Sequence, residues 1–155
     1  MQLSDFLLPC IYAGLSSTGF CLIFNVRKVS HLFFASVGGA IGWAVYLVTI
    51  GQGNDLISYF LATIAISIYA EIMARCFKAP ATIFLLAALM PMVPGGGIFY
   101  TMEHCINGDT AAFLETGLHT LAIAGSLAMG ILVVSALARL AKNIGMQLCK
   151  PRSAP

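Results

Sequence analysis

The chain has 155 residues, of which 59% are hydrophobic and 9% are charged, and its mean hydropathy is +0.93. A soluble domain of this size carries far more charge, so the composition indicates a polytopic membrane protein. The net charge of +2 gives no basis for nucleic-acid binding, and the five cysteines show no CxxC pair or zinc-ligand spacing. We therefore predict no metal, no cofactor and no nucleic-acid partner, and interpret the cysteines as small apolar packing residues.

Five segments have the length of a membrane-spanning helix, which needs about 20 mostly apolar residues. The first follows the stretch MQLSDF, whose lack of a basic region argues for a retained span and against a cleaved signal peptide. Short polar connections separate the segments, among them the turn signal Asn107-Gly108-Asp109. In chain order, the predicted spans cover residues 6–24, 32–50, 56–74, 81–102 and 117–140.

The charged residues support the count of five spans. With five spans, all 8 basic residues fall on one side of the membrane, and every acid except Glu71 falls on the other. Four spans would scatter the basic residues over both sides. Because loops rich in Lys and Arg stay in the cytoplasm, we predict an outside N-terminus and a cytoplasmic C-terminus. The domain prediction is one polytopic transmembrane domain over residues 1–145 and a disordered cytoplasmic tail over 146–155.

Small residues recur four positions apart in three of the predicted spans. In lipid, the hydrophobic effect does not drive helices together, and van der Waals contact between closely approaching backbones contributes more to their association. Small residues permit this approach and therefore favour helix packing. The alternative is that some of these faces line a passage for a polar solute. The small-residue sets are Gly14 with Thr18, Gly38 with Gly42, and Ala122 with Ser126 and Gly130.

Two polar aromatic residues, Trp43 and Tyr46, are predicted to lie in the middle of the second span, where their polar atoms need partners. They either line a pathway or pack in the interior. Glu71 is the acid within a span, and intramembrane acids are functional candidates by default. It is a proton-coupling candidate together with Arg75, although a helical ion pair between these two residues is the alternative.

The fourth span contains the stretch MPMVPGGGIFY, which covers residues 90–100. Proline removes a backbone donor and clashes with the preceding turn, and three consecutive glycines weaken a helix further. We therefore predict a broken helix. Because hydrocarbon does not tolerate unpaired backbone, residues 90–97 should face the bundle interior or a partner. In transporters such breaks bind polar substrate groups, although a kinked packing helix is the alternative.

Several motifs, separated along the chain, resemble the motifs of a known protein family. PMVPGGGIFY resembles the P-x-x-P-G-G-x-x-Y signature of the threonine/serine exporter family, with Ile98-Phe99 standing before Tyr100 as a departure in register. The run AEIMARCFKAPATIFLLAALMP is similar to the glutamate, alanine-arginine and lysine-x-proline run that leads into that signature. FNV at 24–26 resembles the family's N-V motif, and GGAIGWAVY at 38–46 resembles its glycine-rich second span. The resemblance covers roughly residues 10–141.

The resemblance is to the small C-terminal-type module of that family, here as the separate small subunit of a two-chain exporter. It implies export of threonine and serine, or of a dicarboxylate such as succinate, driven by the proton motive force across a prokaryotic inner membrane. It also implies a larger partner subunit that carries the complementary N-terminal-type module. A higher oligomer, including a homo-oligomer, is left open, and the alternative function is a non-transporting accessory subunit. We predict no enzyme activity, because no catalytic constellation is present.

The break and the resemblance together define the candidate residues. Glu71 with Arg75 is the candidate for proton coupling, and His119, one turn after Glu115, is either an interfacial histidine or part of a proton relay. The candidate substrate-binding or pore residues are Pro91, Pro94, Gly95, Gly96, Gly97, Tyr100, Asn25, Trp43 and Tyr46.

Overall fold

A computed structural model describes residues 3–51 and 53–148, with side chains from residue 6 to residue 141. All regular structure in these ranges is helical, which confirms the predicted all-α fold. The elements are α1 (Leu3–Ile23), α2 (Val29–Ile50), α3 (Asp55–Phe77), α4 (Ala81–Leu89), a 3-10 turn (Met90–Met92), α5 (Gly95–Ile106) and α6 (Thr110–Leu148).

Four helices, α1, α2, α3 and α6, are each long and apolar enough to cross a membrane. The helices α4 and α5 qualify only together, as a pair bent by 50°. This result confirms the prediction of about five spans with the fourth one broken.

The helix α6 has 39 residues and is longer than the span predicted from hydropathy. Its start is fixed by Asp109, whose Oδ1 accepts a hydrogen bond from the Ala112 backbone N–H at 3.1 Å, as expected of an N-cap residue. Its end at Leu148 falls inside the predicted tail, and the remaining tail residues lie outside the described ranges. A helix can continue past the lipid boundary, and hydropathy alone does not show where it ends.

The short helix α4 packs against α1, α2 and α3. Phe84 of α4 is fully buried, as are Ala87 and Ala88. On the far side of α3 lies α6, and α5 packs against α6. The break therefore joins a helix buried in the bundle to a helix on its flank.

Two glycines of α2 allow this close packing. A Cβ atom at Gly42 would overlap the side chain of Ile66 on α3, and one at Gly38 would lie 2.9 Å from Cε1 of Tyr69. Larger residues at these positions would separate α2 from α3. The packing interpretation of the Gly38 and Gly42 pair is thus confirmed. In the predicted stripe of α6, Gly130 is packed closely against Thr63, whereas Ala122 is exposed.

The four cysteines that the structure describes divide into two classes, and Cys149 lies outside the described residues. Cys10 and Cys21 are buried and free, as predicted for packing residues. Cys76 and Cys105 are exposed, so the packing interpretation is wrong for them. Each lies one residue before the end of its helix, where fewer neighbours cover a side chain.

Four described basic residues lie at one end of the bundle, together with the acid Glu71, and Asp55 lies at the other end. Arg27 and Lys28 line one cleft beside the start of α4, and Arg75 and Arg139 line another cleft beside it. We call this the basic end. Asp55 lies at the opposite end, where α3 begins. We call that the acidic end, and the sorting agrees with the sequence prediction.

Candidate functional site

The break in the fourth span begins at Pro91, inside the 3-10 turn that follows α4. Val93 then adopts an extended conformation with φ −63° and ψ 129°, and Pro94 precedes α5 with φ −76° and ψ 59°. The two prolines lack backbone N–H groups, so neither can continue the helical hydrogen-bond ladder. The chain resumes as a helix at Gly95, whose N–H donates to the Val93 carbonyl at 2.7 Å.

Shelter of the break is incomplete within this chain. Met92 is buried and Gly97 is packed against Thr120 of α6, but Gly95 and Gly96 are exposed. The prediction was that residues 90–97 face the bundle interior or a partner; contact with a partner stays a prediction, and Val93, Gly95 and Gly96 do not face the interior of this chain. The reason is the bend, which directs α5 towards α6 and away from α1, α2 and α3. No residue of α5, a helix that the structure describes in full, is buried.

Two predicted site residues, Trp43 and Pro91, meet in a groove between α1, α2 and the break. The groove has a volume of about 330 Å³ and also includes Tyr12 and Ser16 of α1. The indole Nε1 of Trp43 is buried and has no acceptor among the described residues. A buried N–H group without an acceptor costs about 1–3 kcal/mol, so this donor is an unfavourable feature of the described structure.

Tyr46 lies near the acidic end and not in the middle of the span, which corrects the prediction. Its hydroxyl donates to Asp55 Oδ1 at 2.9 Å, and its ring lies 4.7 Å from the ring of Tyr59, centroid to centroid. His119 of α6 completes the group, with Nε2 3.7 Å from Asp55 Oδ2. Asp55 was not among the residues predicted from the sequence, because the partners of a residue after a turn depend on how the two helices pair.

Glu71 and Arg75 line a cleft of about 560 Å³ at the basic end. The predicted ion pair between them is not formed. Among the side chains that the structure describes, the close contact between an acid and a basic group is the one between Asp55 and His119. Arg139 of α6 enters the same cleft. The sequence analysis did not single out Arg139, although its place at the end of an apolar span was visible.

Asn25 and Tyr100 lie away from these groups. Asn25 is exposed after α1 with φ 56°, and its Oδ1 accepts a hydrogen bond from Arg27 Nε at 3.4 Å. It lines the other cleft of the basic end. Tyr100 is 55% exposed on α5, with its ring against Phe99. The structure therefore does not unite the predicted set in one site.

These features define a multi-pass helical membrane protein with one span interrupted by proline and glycine. A family model described as "Threonine/Serine exporter, ThrE" matches residues 9–137, which is most of the chain, and the chain belongs to that family. The matched range includes the break, Trp43, Tyr46 and Glu71, and stops just before Arg139. Membership in this exporter family implies a function in transport. No solved structure matches the chain.

Proposed function

We propose that the chain is the small membrane subunit of a secondary exporter of small polar carboxylates. The substrate is threonine and serine, or a dicarboxylate such as succinate, and the proton motive force drives export through a prokaryotic inner membrane. The basic end is cytoplasmic by the positive-inside rule. A larger subunit with the complementary N-terminal-type module completes the transporter.

The exposed break carries this proposal. The first backbone N–H groups of a helix have no intrahelical acceptor, and no side chain caps α5. The Gly95 N–H already donates to the Val93 carbonyl, so the N–H groups of Gly96 and Gly97 are the ones left without a backbone acceptor among the described residues, in a span where lipid offers no hydrogen bond. A partner surface or a polar solute must therefore satisfy them. The N-terminus of a helix also favours a carboxylate, which all the proposed substrates carry.

Two further observations support a solute path with a partner. Trp43 lines the groove beside Pro91, four residues before Gly95, and its buried indole N–H has no acceptor among the described residues. The helix α5 leaves large apolar side chains uncovered, including Phe99 and Met102, so either lipid or the partner covers them. We keep Glu71 as the candidate that carries the coupled proton, since it is the acid within a span.

The test is uptake of labelled threonine and succinate into inverted membrane vesicles that contain the chain and its partner. Gly95→Leu should abolish uptake and leave the fold intact, because no atom lies within 4 Å of a Cβ placed there. Gly125→Leu on α6 is the matched control, since it also has open space and is exposed. A protonophore should abolish uptake by the unmodified pair.

The competing proposal is an accessory subunit that stabilises the larger membrane protein. In that case uptake would survive Pro94→Ala and Gly95→Leu in those complexes that still form, and the variants would instead reduce co-purification of the two chains. Measuring uptake per assembled complex separates the two functions.

A further inference from the structure

A cleft of about 560 Å³ opens at the basic end between α4 and α6, with α3 along its floor. This volume lies within the usual range for small-molecule sites, about 300–1,000 Å³. The lining combines charged side chains on α3 and α6 with small residues. It consists of Glu71, Ala74, Arg75, Ala79, Ala81, Ala138, Arg139 and Ala141.

The cleft contains charged groups of both signs, two on α3 and one on α6. Glu71 and Arg75 are one helical turn apart on α3, which places their Cβ atoms about 5–6 Å from each other. Arg139 approaches from α6. Glu71 and Arg75 do not form an ion pair with each other, although both are part of the described structure. One carboxylate and two guanidinium groups are thus presented to the same small space.

We propose that this cleft is the cytoplasmic loading site for a zwitterionic α-amino acid, an inference that rests on the proposed export function. Arg75 and Arg139 bind the α-carboxylate, since guanidinium groups match carboxylates with paired hydrogen bonds. Glu71 binds the α-ammonium group. A proton and an ammonium group compete for one carboxylate, so this role is compatible with proton coupling at Glu71.

The same arrangement selects against a dicarboxylate. In an α-amino acid the opposite charges are separated by one carbon atom, which fits an acid and an arginine one turn apart. A dicarboxylate carries two like charges, and one of them would lie beside the Glu71 carboxylate. Like charges at close range disfavour binding. The cleft therefore favours threonine and serine over succinate among the proposed substrates.

The small residues of the cleft give it no means of recognising the side chain of the substrate. The five alanines leave room for a short side chain but offer no side-chain hydrogen-bonding group. Recognition at the cleft is thus of the charged groups common to α-amino acids. Alanine should compete with threonine for loading, and selection for the hydroxyl group takes place elsewhere.

A thiol placed in the cleft reports occupancy directly. The experiment uses the full chain with Ala138→Cys, Cys76→Ser and Cys149→Ser, in inverted vesicles that also contain the larger partner. The exposed native Cys105, at the acidic end, is the control thiol. The vesicles are first permeabilised. The rate of maleimide labelling is then measured in the presence of L-threonine, L-alanine, 2-hydroxybutyrate or succinate. L-threonine and L-alanine should slow labelling in the cleft, and 2-hydroxybutyrate, which lacks the ammonium group, and succinate should not.

Two charge variants locate the binding groups. Glu71→Gln and Arg139→Gln should each raise the threonine concentration for half-protection about tenfold or more, because each removes a hydrogen bond to a charged group. Glu71→Gln should also allow succinate to protect. Arg27→Gln removes a charge from the separate basic cleft and is the matched control. Gel-filtration profiles identify any variant that fails to fold. If one of the two charge variants fails, the other one tests the proposal.

Protection by succinate equal to that by threonine would overturn the proposal, as would unchanged protection in a folded Glu71→Gln or Arg139→Gln variant. Equal protection of Cys105 would also overturn it, since the effect would then be global. Uptake of threonine by the unmodified pair is measured in parallel. If uptake occurs while protection is absent, the loading site is wrong and the exporter function stands. If uptake itself is absent, the exporter function is wrong.

Discussion

His119 Nε2 of α6 lies 3.7 Å from Oδ2 of Asp55, the first residue of α3. The other oxygen of the same carboxylate accepts the hydroxyl of Tyr46 from α2. One acid thus joins three helices at the acidic end. The carboxylate is about one third exposed and His119 more than half exposed, so the histidine contact is weak and the tyrosine hydrogen bond carries more of the stability.

We expect Tyr46→Phe to lower the free energy of unfolding by about 1 kcal/mol, the typical net value of one hydrogen bond. The ring contact with Tyr59 is kept, so the change isolates the hydroxyl. Denaturant titration in detergent micelles, followed by circular dichroism, measures the effect. Tyr12→Phe is the control, because Tyr12 is 63% exposed and should have little effect. Equal stability of the two variants would show that the Tyr46 hydrogen bond contributes nothing.

The contact between α5 and α6 depends on Gly97, where an added Cβ would overlap Oγ1 of Thr120. We expect Gly97→Ala to destabilise the protein by about 1–3 kcal/mol, the usual range for overpacking. Gly95→Ala should have little effect, since that position is open. Both are measured by the same denaturant titration.

A second substitution tests the cause of this effect. Thr120→Ala removes the overlapping Oγ1 atom, so the double variant Gly97→Ala, Thr120→Ala should recover much of the lost stability. A double-mutant cycle with no coupling between the two positions would mean that α5 does not pack on α6 as described.

The sequence predicted those parts of the fold that depend on local composition. The count of spans, the sorting of charges and the break at Pro91 and Pro94 follow from hydropathy, the positive-inside rule and the backbone chemistry of proline. The close packing of Gly38 and Gly42 was also predictable, because small residues in membrane-spanning helices are enriched where two helices contact each other.

The rest depends on how distant segments meet. The cleft joins Glu71 to Arg139, which lie on helices that no local pattern pairs. The group around Asp55 required knowledge that α6 lies beside α3. The exposure of Gly95 was unpredictable for a related reason, since the bend of 50° and the flank position of α5 are properties of the bundle.

Two cysteines are exposed among those whose side chains the structure describes, and they test the orientation of the chain in the membrane. Cys76 lies at the end of α3 at the basic end, and Cys105 lies at the end of α5 near the acidic end. In whole cells we expect a membrane-impermeant maleimide to label Cys105 and not Cys76. Variants that keep only one of the two cysteines and also carry Cys149→Ser make the measurement unambiguous. After permeabilisation both should react, and labelling of Cys76 in intact cells would reverse the predicted topology.

A substitution of Trp43 distinguishes a role of its indole N–H group in transport from a role in packing. Trp43→Phe removes the N–H group but keeps an aromatic ring beside Pro91. If the N–H serves only packing, its removal should leave uptake unchanged and slightly raise stability, because a buried donor without an acceptor is costly. If it binds the solute, the initial rate of threonine uptake into inverted vesicles should fall about tenfold, as expected for one lost hydrogen bond to a carboxylate.

Tyr12→Phe is the appropriate comparison for this measurement, because Tyr12 lines the same groove from α1 but is exposed. It should transport as the unmodified chain does. Equal uptake by Trp43→Phe and Tyr12→Phe would exclude the indole from the solute path and leave the exposed glycines of the break as the remaining contact. A fall confined to Trp43→Phe, at unchanged or higher stability, would place the path along the groove between α1, α2 and Pro91.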